Sequence, residues 1–304
     1  MKKSLLIILV FVVIFSLPLL FKSKNNRHVV GPKLSEVTYS EITFINKYDS
    51  IKLSGMLFSP RGVDSFPLAI IINGSGTSSR TNPWYLTVAQ YLQRNGIGVL
   101  LPDKRGSEKS EGNWRGVSLE TLAKDTEAAI EFIQNQANVQ YSKIGIIGMS
   151  QGGWIAPIVA SNRKDISFIV NMSGSMTTTD DQLLFEEYNN IRPYTYDFIA
   201  QLISPLTTKS LKRKKHIEAL LGYDPAPYWK TINRPVFLAY GGGDTNCPVE
   251  KSVEIMKQIN KSNFTYRIYP KGGHGILNPV TSRISDDFLE DLKEFIEVSE
   301  INCY

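Results

Sequence analysis

The stretch that decides the fold is residues 143–153, which read KIGIIGMSQGG. After the lysine, the first residues are apolar or glycine, as a short buried strand requires. A G-x-S-x-G turn follows at 148–152, and a helical pattern starts at Gly152. In such a strand–turn–helix unit the glycines let the chain pass close to itself, and Ser150 is lifted above the sheet at a helix N-terminus. Ser150 is therefore the candidate nucleophile; the alternative is a glycine-rich turn whose serine only caps the helix.

Strands and helices alternate on both sides of this unit. The first two strands have the alternating pattern of an antiparallel pair, and residues 68–72 are continuously apolar, as a strand covered on both faces requires. This pattern predicts an α/β fold with a mostly parallel sheet between helices. The predicted strands are 41–47, 51–59, 68–72, 97–101, 143–147, 166–172, 235–240 and 265–269; the predicted helices are 83–95, 118–136, 152–161, 250–259 and 286–299.

The alternation stops at 173–232, which is predicted to be an insertion of irregular or helical pieces. Its aromatic side chains could line a pocket or form the insertion's own small core. Tyr188 and Trp229 are the candidate substrate contacts in this segment. Five basic residues occur between 209 and 215, where they form either a solvated helix face or a contact for anionic lipid head groups.

A serine nucleophile needs a general base, and the chain has three histidines. His274 lies in the loop KGGHG, after a predicted strand and before the last helix, whereas His28 and His216 are interpreted as solvated surface residues. The carboxylate that orients the base is predicted to be Asp244, which follows another strand through three glycines. The order Ser150, Asp244, His274 is the order in which this kind of fold presents its triad.

Asp103 is the competing acid, because it also follows a predicted strand. It precedes the serine, and we interpret it as part of a turn held by Asp103 and Arg105. Cys247, three residues after Asp244, is predicted to be a buried small side chain near the site.

Two backbone amides are predicted to stabilise the oxyanion. One is the Gln151 N–H, directly after the nucleophile, and the other is the Ser75 N–H in the loop 73–77, with Gly76 as second choice. Gly76 and Met149 are also candidate substrate contacts. A phosphate loop would need a Lys-Ser/Thr pair here, and a dinucleotide site would need a third glycine before a helix; neither is present.

The net charge of +5 is confined to the N-terminus. No acid precedes Glu36, and the five basic residues before it account for the whole excess, so residues 28–304 are formally neutral and a nucleic-acid-binding face is not expected. The charges flank an apolar run at 5–21, interpreted as an uncleaved membrane anchor with the main domain outside the cytoplasm; the alternative is a cleaved export signal. Residues 1–35 thus form anchor and linker. The five residues are Lys2, Lys3, Lys22, Lys24 and Arg27.

These motifs together resemble the serine hydrolases of the α/β-hydrolase family. The similarity covers 36–304 and is strongest to bacterial carboxylesterases and their acyl-aminopeptidase-like and acyl-transferase-like neighbours. It is carried by the segments at 74–76, 103–106, 148–153, 223–229, 241–244 and 273–274. Glu108 departs from the pattern, which more often has glycine at this position of the turn.

The resemblance implies that the insertion at about 173–232 is a short cap over the site. It also implies hydrolysis of a small-molecule carboxylic ester through an acyl-Ser150 intermediate, with neither metal nor cofactor. A peptidase or amidase would use the same triad, and a non-catalytic binding protein on a hydrolase scaffold is the alternative from another class.

Overall fold

The computed structural model describes residues 28–299. The apolar run at 5–21 and Cys303 lie outside the described residues, so the anchor stays a prediction. Among the helices of residues 28–299, none is both long and apolar enough to cross a membrane.

The centre of the fold is one eight-stranded sheet with the order β1-β2-β4-β3-β5-β6-β7-β8. Strand β1 pairs antiparallel with β2 and β2 antiparallel with β4, while all further pairs are parallel. The predicted mostly parallel sheet is confirmed. The strands are β1 Ser40–Asn46, β2 Ile51–Phe58, β3 Phe66–Ile72, β4 Gly98–Pro102, β5 Tyr141–Met149, β6 Phe168–Met172, β7 Val236–Gly241 and β8 Phe264–Tyr269.

Helices cover both faces of the sheet. Helices α2, α3 and α8 share one core layer, and α1 and α9 share the other. The helices outside the insertion are α1 Pro83–Arg94, α2 Leu119–Gln134, α3 Gly152–Asn162, α8 Val249–Ile259 and α9 Asp286–Val298.

Strand β3 shows why the central strands are continuously apolar. Ile70 and Ile72 belong to one core layer, and Ala69 and Ile71 belong to the other. Successive side chains of a strand point to opposite faces, so a strand with a helical layer on each side must be apolar at every position. The continuous apolar run at 68–72 therefore identifies this strand from the sequence alone.

The insertion between β6 and β7 is helical. It contains α4 Thr179–Ile191, a short 3-10 turn Arg192–Tyr194, α5 Asp197–Leu211, α6 Lys215–Glu218 and α7 Ala226–Thr231. Helices α4 and α5 pack against each other. The loops that follow the parallel strands β3, β4, β5, β7 and β8 all lie at the carboxyl edge of the sheet, where open α/β sheets bind their ligands.

Candidate active site

Ser150 sits in a strained turn between β5 and α3. Its φ is +53°, in the left-handed region that non-glycine residues rarely adopt. The flanking glycines are required by close approach: a Cβ on Gly148 would lie 2.4 Å from the carbonyl oxygen of Gly152, and one on Gly152 would lie 2.2 Å from that of Ile72. The crossing of the chain that the motif predicts is therefore present.

His274 lies between Ser150 and Asp244. Its Nε2 is 2.9 Å from Ser150 Oγ, and its Nδ1 is 2.9 Å from Asp244 Oδ2 and 3.1 Å from Oδ1. With the Nδ1 proton donated to the carboxylate, Nε2 is left to accept the proton of the serine hydroxyl. The structure thus brings together three side chains that are far apart in the chain.

The carboxylate of Asp244 is buried and held by its own loop. Its Oδ1 accepts hydrogen bonds from the backbone N–H of Asn246 at 2.8 Å and of Cys247 at 2.9 Å. The loops after β7 and β8 are joined directly, since the Gly273 N–H donates to the Gly242 carbonyl at 3.1 Å. Cys247 is fully buried beside Asp244, as predicted, and burial raises the pKa of its thiol well above the ordinary value.

The loop after β3 lies directly against the serine. A Cβ on Gly74 would be 3.3 Å from Ser150 Cβ. The Gly74 N–H donates to the hydroxyl of Tyr85 at 2.9 Å, so this amide is already used. In the part of the chain that is described, the next N–H, that of Ser75, has no protein acceptor, and neither has the Gln151 N–H. These two amides are the oxyanion donors that the sequence predicts.

A lysine that the sequence reasoning did not single out also reaches this loop. Lys104, in the turn after β4, is 7% exposed and donates from Nζ to the Gly74 carbonyl and, at 3.2 Å, to Gln151 Oε1. Its ammonium lies 5.7 Å from the centroid of the Trp114 ring. Burial lowers the pKa of Lys104 to about 8. Its position directly after Asp103, at a strand end, is the signal that could have pointed to it.

A cleft of about 910 Å³ opens beside His274. His28 and Asn246 line it, and the Trp84 ring lies 5.8 Å from the imidazole. From the cap, Glu186 of α4 accepts a hydrogen bond from the Asn246 side chain at 3.2 Å. Burial raises the pKa of Glu186, an effect that the nearby His274 opposes.

Two of the predicted substrate contacts face the interior of the protein. Trp229 is 0% exposed and packs edge-on against Phe264 of β8, so it belongs to the main core. The Met149 side chain is also fully buried in a core layer. Both predictions are wrong for the same reason: an aromatic or sulfur side chain near a site fills the core as readily as a pocket.

The other two lie at the surface. Tyr188 donates its hydroxyl to Asp197 and lines, with Phe185, a groove of about 430 Å³ between α4 and α5. Gly76 follows Ser75 with a φ of +77° and leaves open space around its α-carbon. Their contact with a substrate stays a prediction.

The turn after β4 is held differently from the prediction. Asp103 is bound by Arg80 at 2.8–3.1 Å, not by Arg105, whose guanidinium pairs with Asp125 at 2.7 Å. Arg80 comes from the loop before α1, a partner that no local pattern indicates. Glu108 has a φ of +51°, which explains why glycine is more usual there.

The sheet order, the strained serine turn and the hydrogen-bonded Ser150, His274 and Asp244 define the α/β-hydrolase class. Residues 126–295, more than half of the chain, match the family described as BAAT / Acyl-CoA thioester hydrolase C terminal. The chain therefore belongs to this family.

Two curated relatives show how far the similarity extends. Thiohydrolase aneE of Aspergillus aculeatus is 32% identical over 139 residues, which are 45% of this chain and 42% of aneE. Acylamino-acid-releasing enzyme of Rattus norvegicus is 23% identical over 260 residues, 81% of this chain and 32% of the rat protein. The chain thus spans less than half the length of either relative.

Among solved structures, esterase PF2001 of Pyrococcus furiosus superposes with a TM-score of 0.67. The superposition covers 90% of this chain and 96% of the esterase, with 21% sequence identity. At this identity the likeness shows the shared fold.

Proposed function

We propose that the protein is a serine hydrolase that cleaves carboxylic esters through an acyl-enzyme intermediate. The observation that carries the proposal is the imidazole of His274, placed within 2.9 Å of both Ser150 Oγ and Asp244 Oδ2. A serine hydroxyl that is hydrogen-bonded to a base, which in turn is hydrogen-bonded to a buried carboxylate, is activated as a nucleophile on several unrelated folds.

In the first half-reaction, Ser150 Oγ attacks the ester carbonyl while its proton passes to His274 Nε2. Asp244 stabilises the imidazolium that forms. The carbonyl oxygen becomes an oxyanion, which accepts hydrogen bonds from the N–H groups of Ser75 and Gln151. When the tetrahedral intermediate collapses, the bond to the alcohol breaks, the imidazolium protonates the leaving oxygen, and acyl-Ser150 remains.

In the second half-reaction, His274 Nε2 takes a proton from water as the water oxygen attacks the acyl carbonyl. The same two amides stabilise the second oxyanion. Collapse releases the carboxylic acid and returns the proton to Ser150 Oγ. The chemistry uses only groups of this chain and water.

The leaving group is the open part of the proposal. The acylamino-acid-releasing relative, matched over 81% of this chain, favours a peptidase or amidase as second candidate. The thiohydrolase relative and the family description point to a thioester. All three reactions use the same nucleophile and oxyanion donors, so the cap and the cleft decide between them.

A fluorophosphonate probe tests the nucleophile. We expect labelling of the wild-type protein at Ser150 and loss of both labelling and turnover in Ser150→Ala, with Ser79→Ala as the matched control that keeps both. Absence of labelling in a folded wild-type protein would favour a non-catalytic binding protein. Rates on nitrophenyl esters of graded acyl length, acyl thioesters and aminoacyl-nitroanilides then rank the leaving groups.

We further propose that residues 5–21 anchor the protein in a membrane with the hydrolase domain outside the cytoplasm. The support is the apolar run with Lys2 and Lys3 before it and Lys22 after it. Retention of the protein in carbonate-washed membranes, with the domain accessible to external protease, is the expected result. Recovery in the soluble fraction with the N-terminus removed would favour the export signal.

A further inference from the structure

We propose that helix α5 of the cap docks on an anionic lipid surface. The small, mostly polar side chains of this helix face the protein, and its large apolar side chains face the solvent. Its inward side carries Ala200, Ser204 and Thr208, all buried and four residues apart. Residues at this spacing share one face of a helix. The small, polar face is therefore the one that packs against the protein.

The outward side of α5 is apolar instead. Phe198, Leu202 and Leu206, again four residues apart, are 68%, 72% and 68% exposed. A surface helix normally shows the reverse arrangement, with apolar residues inward. Three large side chains in a row on one exposed face form a contiguous patch, and such patches mark sites of contact with another molecule or a membrane.

The charge around this patch indicates which partner covers it. No acidic residue occurs between Asp197 and Glu218. Lys209 lies on the same helix face as Leu206, about one turn further along, and Arg213, Lys214 and Lys215 follow the helix. Lys212 is paired with Asp180, so its charge is already balanced within the protein. An apolar face with basic residues at its end is typical of helices that lie in the head-group region of an anionic bilayer.

A second copy of the chain fits the patch less well. A two-fold interface brings the same surface of both subunits together. With the two α5 helices parallel, the exposed basic clusters of Lys209, Arg213, Lys214 and Lys215 would lie side by side and repel. With the helices antiparallel, each cluster would face Asp197, which is already engaged by Arg192 and Tyr188.

The position of the N-terminus is consistent with a lipid partner. His28 lines the cleft beside Asn246, whose side chain is bonded to α4 of the cap. Six residues separate His28 from Phe21, the last residue of the apolar run. The seven steps from Phe21 to His28 span at most about 25 Å, so a membrane held by residues 5–21 would lie on the cap side of the domain.

The test uses the full chain in nanodiscs, with Leu202→Trp as a reporter on the α5 face. Tyr48→Trp, at an exposed position in the turn between β1 and β2, is the matched control. In discs of phosphatidylcholine mixed with phosphatidylglycerol, we expect brominated lipids to quench the reporter at 202 and leave that at 48 unchanged. Both variants are anchored equally, so the difference reports docking of the cap.

Neutralising Arg213, Lys214 and Lys215 to Gln should weaken this docking on the order of a hundredfold at low salt, since each basic residue near such a surface contributes roughly a fivefold factor. Equal quenching at 202 and 48 would overturn the proposal. A fluorescence change at 202 that depends on protein concentration in detergent, and not on lipid charge, would overturn it in favour of self-association. Neither result bears on Ser150, so the proposed hydrolase activity is tested separately.

We also infer, from an independent set of contacts and on the basis of the proposed function, that Lys104 positions the oxyanion donors. The carbonyl of Gly74 and the N–H of Ser75 belong to one peptide group, and in a trans peptide they point in opposite directions. By binding the Gly74 carbonyl, Lys104 fixes the direction of the Ser75 N–H. Through Gln151 Oε1 the same ammonium also contacts the residue that supplies the second donor.

The charge of Lys104 is not neutralised nearby. Among the described residues, no carboxylate lies within ion-pair distance of its Nζ. The acids closest in the chain and across the adjacent cavity are engaged elsewhere: Asp103 with Arg80, and Asp125 with Arg105. An ammonium on the carbonyl side of the peptide polarises it and strengthens its N–H as a donor to a developing oxyanion.

Lys104→Met removes the charge and the N–H donors while keeping a side chain of similar size. Lys109 is an exposed lysine of the same turn, so Lys109→Met is the matched control. We expect kcat on a nitrophenyl ester to fall about tenfold to a hundredfold with KM nearly unchanged, since removing one direct oxyanion donor costs about a hundredfold or more. The affinity for a trifluoromethyl ketone, which forms an oxyanion on Ser150, should fall by the same factor.

The pH profile separates positioning from a merely structural role. The other charged or titratable groups near Lys104 are the two Arg–Asp pairs, Arg115 at 4.4 Å from the Trp114 ring, and His216 at the edge of that ring. Lys104→Arg keeps a charge at all pH values, so activity lost by the wild type above about pH 8 should persist in this variant.

If Lys104→Met does not fold, Lys104→Gln, which keeps a donor without the charge, replaces it. A folded variant with wild-type kcat, or with a loss confined to KM, would overturn the assignment. The wild-type protein must label with fluorophosphonate first: failure at that step overturns the proposed function and the role of Lys104 with it, whereas a labelled wild type and an unaffected Lys104→Met overturn the role of Lys104 alone.

Discussion

Burial of Lys104 makes a quantitative prediction about stability. Its Nζ is removed from water and has hydrogen-bond acceptors but no counter-ion in the described part of the chain, so burial lowers the pKa of this group from its ordinary value of 10.5 to about 8. In the unfolded chain the group regains the ordinary value. Between about pH 8 and pH 10.5 the unfolded state therefore binds more protons than the folded state, and the free energy of unfolding must rise with pH.

The magnitude follows from the size of the shift. One pKa unit corresponds to 1.36 kcal/mol, so a shift from 10.5 to about 8 amounts to about 3 kcal/mol. The folded protein carries this penalty in full below pH 8 and loses it as pH rises toward 10.5. In Lys104→Met the titrating group is absent, and every other alkaline group is the same in both proteins.

The measurement is urea unfolding of the wild type and Lys104→Met at a series of pH values from 7 to 10. We expect the difference in unfolding free energy, wild type minus variant, to increase by about 2–3 kcal/mol over this range. Turnover of a nitrophenyl ester by the wild type is expected to fall over the same range, because the Lys104 ammonium that binds the Gly74 carbonyl loses its charge. A difference that stays constant with pH would refute both the buried, uncompensated ammonium and the reasoning from it.

Three further predictions concern the site and its support. Asp244→Asn should lower kcat by about four orders of magnitude on a nitrophenyl ester with the fold retained, because the backbone N–H groups of Asn246 and Cys247 keep the amide oxygen and the amide nitrogen then donates to His274 Nδ1, which leaves the imidazole proton on Nε2; a drop below tenfold would contradict its role. Gly152→Ala should destabilise the fold by about 3 kcal/mol or more in urea unfolding, because its Cβ would meet a carbonyl oxygen at 2.2 Å, whereas Gly62→Asn, in open space, should be nearly neutral. Arg80→Ala should cost about 3–5 kcal/mol, because Asp103 is then left as a buried, uncompensated charge; a thermal midpoint within a degree of the wild type would argue against this.

The strand pattern is the part of the fold that the sequence predicts best. Strands β3 and β5 are buried on both faces along most of their length, so residues 68–72 and 144–149 are apolar or glycine and cannot be confused with a surface strand. Their boundaries differ by one or two residues from the prediction because strand ends depend on a partner: Tyr141, outside the predicted 143–147, is paired with Phe66. The sequence pattern does not indicate the individual helices of the insertion, since their apolar residues do not follow a single inward face.

The cap illustrates this limit. In α5 the large side chains point outward and the small ones inward, so hydrophobic periodicity read as burial would place the wrong face on the core. Trp229 shows the opposite error, in which an aromatic residue of the insertion belongs to the main core. In both cases the sequence shows that apolar side chains are present but not which way they point, because their direction is set by packing against elements distant in the chain.

By itself, the sequence determined the strained serine turn and the two loops that carry Asp244 and His274. These features depend on local geometry: glycines where the backbone approaches itself, and polar side chains at the ends of buried strands. The tertiary structure alone decided that Arg80 and not Arg105 holds Asp103, and that Lys104 reaches the Gly74 carbonyl. A buried charge takes whichever partner folding brings within hydrogen-bond distance, and here those partners come from separate loops of the sheet edge.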